Sequence, residues 1–345
     1  MTAGAEVTED RRLLGLRANT LTQLRAAGLD FVDVARVVRA ALEEDFRYGA
    51  DVTSAATVAG RTVTADVVAR EAGVLAGGPV ALAVVDLLTD YLGSAGMHTG
   101  GIAEAPIPDE TGQASEGATP GADWVAPVTA TLLVADGTRV SAGDALLRVS
   151  GNAVAVLGAE RTMLNFLTHL SGIASTTRAW ADAVAGTGAV VRDTRKTLPG
   201  LRILQKYAVR CGGGENHRMG LGDAALVKDN HVAAAGGIAA AVRAVRAAAR
   251  PGLVIEVECD TIDQVREALA AGARFILLDN MPAPVMREAV AVAQAYDGVR
   301  LEASGGLQLS TAREVAATGV DYLSVGGLTH SSRALDLGLD YGGTA

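Results

Sequence analysis

Residues able to do chemistry follow six short apolar runs in the C-terminal half of the sequence. Cations end the first two runs, carboxylates the middle two, and glycine pairs the last two. In order, the runs are AVVRDTRKT, ALVKDNH, LVIEVECD, RFILLDN, VRLEASGG and DYLSVGG. Because α/β barrels gather their sites at the carboxyl ends of the strands, we expect these residues to meet in one site.

The glycine pairs indicate a phosphate site. The last two runs end in Ser304-Gly305-Gly306 and in Gly326-Gly327. Bare backbone N–H groups at such turns can approach phosphate oxygens. A tight turn alone explains one pair, but two pairs on consecutive final runs predict phosphate binding.

The carboxylates indicate a hard cation. Glu258 and Asp279 end neighbouring runs, and Mg²⁺ in proteins takes one or two carboxylates together with water and substrate oxygens. Glu256 lies two residues before Glu258, so it can face the same side of a strand. The alternative is that one of the acids pairs with a nearby cation.

The cations indicate an anionic ligand. Segment 192–218 is rich in basic side chains although the chain carries a net charge of −9. Basic side chains within it include Arg195, Lys196, Arg202, Lys206, Arg210, His217 and Arg218. Arginine grips carboxylates with two donors and lysine adds a point charge. A solvated helix face is the alternative for Arg202 and Arg210. The three lysines of the chain, Lys196, Lys206 and Lys228, all fall within residues 196–228.

Alternating apolar runs and alanine-rich helical patterns predict the fold that positions these residues. Helices are expected at 234–250, 261–272, 282–297 and 310–318. Strand–helix alternation is typical of parallel strands packed by helices. Six units predict an α/β barrel that is incomplete relative to eight, and a doubly wound sheet is the alternative.

The N-terminal half has a different pattern. Helices are predicted at 31–45, 79–92 and 157–185. Residues 50–58 and 61–78 are rich in Val and Thr and predict strands, as does 124–157 with its Asp136-Gly137 turn. Residues 93–123 are rich in Gly, Pro, Ser and acids, which predicts a mobile surface insertion.

Composition excludes several classes of protein. The net charge of −9 argues against nonspecific nucleic-acid binding. No window reaches the ~18 apolar residues of a membrane helix, and the N-terminus lacks an apolar signal core, so we expect a cytoplasmic protein without a membrane partner. Cys211 and Cys259 are too few for a disulfide framework and lack metal-site spacing.

Long motifs resemble quinolinate phosphoribosyltransferase, also called carboxylating nicotinate-nucleotide pyrophosphorylase. The resemblance is carried by DTRKTLPGLRILQKYAVRCGGGENHRMGLGDAALVKDNH, ERTMLNFLTHLSGIAS, EVE, LLDN and EASGG, and by EEDFRYGADVTS and REAGVLAG in the N-terminal half. It covers roughly residues 30–341 and leaves out only the N-terminal segment and the 93–123 insertion.

The resemblance implies an α/β fold with an N-terminal α/β sandwich domain and a C-terminal incomplete α/β barrel. The expected boundaries are an N-terminal extension at 1–29, the sandwich at 30–165 with the insertion, the barrel at 166–330, and a tail at 331–345 that returns to the sandwich. It also implies a homodimer with shared active sites, while any higher oligomer stays open.

The resemblance further implies a Mg²⁺-dependent reaction of quinolinate with phosphoribosyl pyrophosphate, giving nicotinate mononucleotide, pyrophosphate and CO₂ for NAD synthesis. Lys196, Lys228, Glu258 and Asp279 are the implied catalytic residues. By motif position, the quinolinate-binding residues are Arg161 of the partner subunit, Arg195, His217, Arg218 and Lys228. Lys196 lies at the boundary between the two substrates. Glu258 and Asp279 fall on the ribose and metal-diphosphate side, and Ser304, Gly305 and Gly326 near the 5-phosphate.

Three other functions remain open at this stage. A barrel lyase could form a Schiff base on Lys228. A related transferase could act on another planar acid. A phosphate-ligand sensor without catalytic activity should lack the Glu258 and Asp279 pair, which this sequence has.

Overall fold

The computed structural model describes residues 15–94 and 128–341, which form two compact units. The first unit runs to Gly172 and takes up the chain again from Ala334; the second is Ile173–Arg333. From residue 95 on, the predicted insertion lies outside the described residues. Within the described ranges no helix is both long and apolar enough to cross a bilayer.

Four helices occupy the N-terminal part of the first unit. They are α1 (Ala18–Ala26), α2 (Phe31–Phe46), α3 (Val52–Val58) and α4 (Gly78–Ser94). Helix α2 begins where the pattern predicts, because the Asp30 carboxylate accepts the N–H groups of Val32 and Asp33 at 2.9 and 3.0 Å. Residues 80–88 of α4 are all buried, so this helix forms the centre of the unit's core.

The strand predicted at 50–58 is wrong. Helix α3 occupies it instead, and the Asp51 carboxylate accepts the backbone N–H of Ser54 at 3.0 Å. An N-terminal cap of this kind satisfies a donor that a helix end otherwise leaves free. Local capping therefore outweighs the β-propensity of Val and Thr, which depends on a sheet being present.

A four-stranded antiparallel sheet completes the first unit. Its strands are β1 (Thr62–Ala69), β3 (Thr129–Leu132), β5 (Ala145–Asn152) and β12 (Leu337–Tyr341), in the order β12-β1-β5-β3. The C-terminal strand pairs with β1, with Leu337 opposite Ala69 and Tyr341 opposite Ala65. A small second sheet pairs β2 (Gly73–Val74) with β4 (Arg139–Val140).

Helix α5 (Ala153–Val184) spans 32 residues, and the boundary between the two units falls within it. The sequence pattern predicts this helix at 157–185. Its start follows directly on β5, without a loop. The helix carries Arg161, whose side chain is exposed.

Six parallel strands form the sheet of the second unit. They are β6 (Val190–Arg192), β7 (Ala225–Val227), β8 (Ile255–Cys259), β9 (Phe275–Asp279), β10 (Arg300–Ser304) and β11 (Tyr322–Ser324). Their order is β6-β11-β10-β9-β8-β7. From β7 to β11, strands that are consecutive in the chain are also neighbours in the sheet, and β11 pairs with β6. Strands β6 and β7 do not pair with each other, which leaves one open seam in the described barrel.

Helices follow each of these strands in sequence, and the last helix comes after β11. They are α6 (Arg202–Cys211), α7 (Asp229–Ala235), α8 (Ile238–Ala248), α9 (Ile262–Ala270), α10 (Ala283–Ala293), α11 (Ala312–Ala316) and α12 (Gly327–His330). A doubly wound sheet would reverse its strand order at a switch point. The observed order does not reverse, so the predicted incomplete α/β barrel is confirmed.

A carboxylate cap at the start of α4 gives a test of the first unit's stability. Asp136 accepts the N–H groups of Gly77 and Gly78 at 2.7 and 3.0 Å. We expect Asp136→Ala to lower the free energy of unfolding by about 1 kcal/mol, as for other lost helix caps. Urea denaturation followed by circular dichroism measures this. Asp136→Asn is the control, because it keeps an acceptor oxygen and should recover part of the loss.

Candidate active site

A cavity of about 860 Å³ lies in the second unit, where the carboxyl ends of the barrel strands converge. It is lined by ten of the eleven predicted site residues. They are Arg195, Lys196, His217, Arg218, Lys228, Glu258, Asp279, Ser304, Gly305 and Gly326. Arg161, the eleventh, belongs to the first unit. Eight of the ten lie at or follow strand ends as predicted, and the other two, His217 and Arg218, come from the cation-rich segment 192–218.

Cations are found where the barrel is open. Arg195 and Lys196 follow β6, and Lys228 follows β7, the two strands that border the seam. Glu215 makes a parallel bridge with Arg192 at this edge of β6. The chain leading to the site's other cations therefore runs along the seam.

A buried ion pair holds this cation segment in place. The Lys206 ammonium is 1% exposed and pairs with Asp193, which is 0% exposed. Asp193 also accepts the N–H of His217 at 2.9 Å and the amide of Asn216 at 2.5 Å. Lys206 donates to the carbonyl of His217 at 2.9 Å. Lys206 therefore does not line the cavity but holds the backbone of His217, which does.

The guanidinium groups of Arg195 and Arg218 both line the cavity. Burial lowers the pKa of Arg218, and the nearby Arg195 charge lowers it further. The Nε atom of Arg195 is buried and has no hydrogen-bond partner in the described part of the chain. A bound anion would relieve both conditions, because arginine binds carboxylates with paired donors.

The His217 ring is held by the protein at both nitrogens. Its Nδ1 accepts the backbone N–H of Arg218 at 2.7 Å, so the ring proton is on Nε2. Nε2 lies 2.8 Å from Glu256 and 3.5 Å from Glu302. The ring thus fixes the backbone that carries Arg218 and covers a buried pair of carboxylates.

These three side chains are near enough to one another to hold a metal ion, but their chemistry does not favour one. His217, Glu256 and Glu302 place ligand atoms within 4.8 Å of each other. A protonated Nε2 offers no lone pair, and the Arg192 guanidinium already donates to Glu302 at 2.8 Å. Burial, and then the neighbouring Glu256 charge, raise the pKa of Glu302, which favours a proton there.

The two predicted metal ligands lie on adjacent strands and have different partners. Glu258 accepts a hydrogen bond from Lys228 Nζ at 2.5 Å. Asp279 accepts the amide of Asn280 at 2.8 Å and forms no ion pair with a cation of the described residues. Asp279 therefore keeps carboxylate lone pairs available in the cavity, which fits a hydrated divalent cation.

The glycine turns are required by close approaches. Gly305 has φ of 84°, and an added Cβ there would lie 2.5 Å from Asn280 Cγ. A Cβ at Gly326 would lie 2.9 Å from Lys196 Cδ. Ser304 ends β10 beside the first turn, and Gly326 precedes the short helix α12. Both turns expose backbone to the cavity, as phosphate binding needs.

Some lining residues were not among the predicted site residues. His330 lies on α12, four residues after the second glycine turn. Glu302 lies two residues before Ser304 on the same strand, so strand alternation could have indicated it. Thr176 and Trp180 lie on α5, and nothing in the helical pattern distinguishes them from core residues.

The buried ion pair gives a stability prediction. Lys206→Met leaves Asp193 charged and unpaired, which we expect to lower the free energy of unfolding by about 3–5 kcal/mol. Chemical denaturation measures the loss. The double variant Asp193→Asn with Lys206→Met should be less destabilised than Lys206→Met alone. Arg210→Met, which removes an exposed cation from the same helix, is the control and should change little.

Glu302 gives a pH prediction. Its pKa is raised in the folded protein, so its contribution to stability is complete at low pH and is lost as pH rises through the folded value. Glu302→Gln removes this loss. We expect the variant's free energy of unfolding, relative to the parent protein, to improve as pH rises from the ordinary glutamate range towards neutrality. Equal slopes against pH for the two proteins would contradict this.

Comparisons with known proteins agree with the fold. Residues 173–340 match the family model of the quinolinate phosphoribosyl transferase C-terminal domain, and residues 119–171 match that of the N-terminal domain. The nicotinate-nucleotide pyrophosphorylase [carboxylating] of Mycobacterium leprae (strain TN) is 51% identical over 314 residues, covering 89% of this chain and 97% of the relative.

Solved structures give the same result. The structure of NadC from Streptococcus pyogenes superposes with a TM-score of 0.75 at 35% identity, covering 91% of this chain and 99% of that one. The nicotinate-nucleotide pyrophosphorylase from Francisella tularensis gives 0.74 at 34% identity, covering 90% and 96%. This chain belongs to the quinolinate phosphoribosyltransferase family.

Proposed function

We propose that this enzyme transfers the phosphoribosyl group of phosphoribosyl pyrophosphate to quinolinate. The products are nicotinate mononucleotide, pyrophosphate and CO₂, on the de novo route to NAD. The observation that carries the proposal is the order of charges around one cavity: cations beside the seam, carboxylates on β8 and β9, and glycine turns after β10 and β11. The named activity of the relatives supports it.

The substrates match these charges. A pyridine dicarboxylate carries two negative charges and needs several cations, which Arg195, Arg218 and Lys228 supply. The 5-phosphate accepts backbone N–H groups at the turns of Gly305 and Gly326. His217 holds the backbone of Arg218 and orients it towards the dicarboxylate.

In the first step the ribose C1′–O bond breaks and its electron pair leaves with the diphosphate. The pyridine nitrogen lone pair then forms the bond to C1′. The fixed cations act mainly by positioning the substrates and by stabilising charge. This is why no side-chain nucleophile is needed.

In the second step the bond to the adjacent carboxylate breaks. Its electron pair stays on the ring carbon next to the quaternary nitrogen, whose positive charge stabilises it, and CO₂ departs. A proton then takes the place of CO₂ on that carbon. Lys228, held by Glu258 at 2.5 Å, keeps a positive charge near the carboxylates.

Asp279 and Glu258 would hold Mg²⁺ in this proposal. When bound, the ion neutralises charge on the departing diphosphate. Asp279 is the better placed of the two, because Glu258 is already paired with Lys228. A metal ion that binds Glu258 would release the Lys228 ammonium from that carboxylate. Lys228 could then contact quinolinate while the metal is bound.

The ion pair of Lys228 also argues against the Schiff-base alternative. A lysine that attacks a carbonyl must be a neutral amine. A carboxylate at 2.5 Å stabilises the charged ammonium instead. Borohydride trapping with a carbonyl substrate should therefore leave Lys228 unmodified.

Substrate choice tests the proposal. Purified protein is incubated with phosphoribosyl pyrophosphate, Mg²⁺ and either quinolinate or nicotinate, and nicotinate mononucleotide and CO₂ are measured. We expect kcat/KM for nicotinate to be lower by at least roughly thirtyfold, because each lost charged contact costs about 2–5 kcal/mol. Equal values for the two acids would overturn the assignment to quinolinate, and turnover of neither would favour another planar acid.

We also propose a homodimer in which Arg161 completes the site of the partner subunit. Its side chain is exposed on α5. The alternative is that Arg161 only forms a surface ion pair, which would contribute little to stability. In that case its substitution should leave activity nearly unchanged, whereas loss of a residue from the partner's site should abolish it.

Subunit exchange tests the shared site. Arg161→Ala and Lys228→Ala should each be nearly inactive alone. A mixed dimer has one site with both lesions and one with neither, so mixing should restore up to about a quarter of the parent activity, by counting in a symmetric dimer. Native mass spectrometry verifies the exchange. No recovery after verified exchange would place Arg161 outside the partner's site.

A further inference from the structure

Asn280 has an unusual backbone conformation at the end of β9. Its φ is 52°, and it is the one non-glycine residue of the described chain with a positive φ. Asparagine tolerates this left-handed region better than most residues. Such conformations persist where surrounding contacts hold them, and they cluster at functional sites.

Three contacts hold Asn280 between two strand ends. Its backbone N–H donates to the Ser304 carbonyl at 2.9 Å. Its side-chain amide donates to Asp279 Oδ2 at 2.8 Å. The rest of the amide lies against Gly305, where an added Cβ would come within 2.5 Å of Asn280 Cγ. The residue therefore touches both the acid after β9 and the glycine turn after β10.

The contact with Asp279 requires an amide. The Nδ2 group donates to a carboxylate, whereas an oxygen at the same place would repel it. Aspartate has the same shape and the same tolerance of positive φ, but it would place a second negative charge beside Asp279. The Asp279 carboxylate therefore explains why residue 280 is asparagine and not aspartate, which the positive φ alone would not.

We propose that Asn280 is a positioning residue that fixes the Asp279 carboxylate relative to the Gly305 turn. This inference rests on the proposed function, in which Asp279 serves the metal-diphosphate and Gly305 the 5-phosphate. Asn280 would then fix the distance between the site of the diphosphate and the site of the 5-phosphate. Asn280 has no part in holding quinolinate.

Two substitutions separate the backbone from the amide. Asn280→Gly keeps the positive φ and removes the amide. Asn280→Asp keeps the shape and adds a charge next to Asp279. Asn19→Asp is the matched control, because Asn19 is an exposed residue of α1 in the first unit. Melting temperatures of all variants show whether each is folded.

Binding and kinetics are measured on the full-length protein. We expect both Asn280 variants to raise KM for phosphoribosyl pyrophosphate by about tenfold or more, of the size expected for a lost charge-assisted contact. The larger effect should come from Asn280→Asp. For each variant, the affinity for Mg²⁺ with phosphoribosyl pyrophosphate, measured by calorimetry, should fall by the same factor as KM rises. The affinity for quinolinate should stay within about twofold of the parent value.

A double-mutant cycle identifies the route of the effect. If Asn280 acts through Asp279, Asn280→Gly should weaken binding far less in an Asp279→Asn background than in the parent, because interacting residues are not additive. Full additivity would show that the amide does not act through Asp279, and this would overturn the proposal. So would phosphoribosyl pyrophosphate affinity within twofold of the parent protein in a folded Asn280→Gly variant.

Measuring binding by calorimetry distinguishes failure of the positioning role from failure of the proposed function. If the parent protein binds Mg²⁺ with phosphoribosyl pyrophosphate but does not convert quinolinate, the function fails and the positioning role is still tested by the variants. If the parent protein converts quinolinate and the Asn280 variants bind normally, only the positioning role fails.

Discussion

The ion pair between Lys206 and Asp193 is the interaction on which the site depends. Both side chains are buried, and the desolvation of two charges is costly unless each has its partner and further hydrogen bonds. Asn216 and the backbone of His217 supply those bonds to Asp193. The pair thus ties the segment that carries His217 and Arg218 to the end of β6.

This tie explains how an acidic protein concentrates positive charge in one cavity. Burial lowers the pKa of Arg218, and repulsion by the Arg195 charge lowers it further. A flexible segment would separate the two arginines. Because the backbone beside Arg218 is fixed by the buried pair and by the His217 ring, the repulsion is retained until an anion binds. The site is therefore organised before its ligand arrives.

The open seam of the barrel gives this arrangement its place. Strands β6 and β7 do not pair, and the chain between them contains α6 and the cation segment. A closed pair of strands would leave no room for a bridge such as that between Arg192 and Glu215. On the opposite side from the seam, carboxylates and glycine turns follow adjacent strands. Asn280 contacts both the Asp279 carboxylate and the Gly305 turn.

The sequence by itself determined the six barrel strands and most of the residues that line the cavity. Strand ends in parallel α/β folds converge, so the residues after six apolar runs could be predicted to meet, and Arg195, Glu258, Asp279 and Gly305 do meet. The pattern at 50–58 wrongly predicts a strand, because capping by Asp51 outweighs the β-propensity of these residues and α3 forms instead.

Tertiary structure alone decided which polar residues face the ligand and which support the others. Lys206 and Lys196 look alike in sequence, but one is buried beneath the site and the other lines the cavity. The partners of Asp193, the tautomer of His217 and the left-handed turn at Asn280 also depend on atoms distant in sequence or on the fold around them. The physical reason is that the cost of burying a charge, or of straining a backbone, is set by the neighbours that compensate it, and only the folded chain brings those neighbours together.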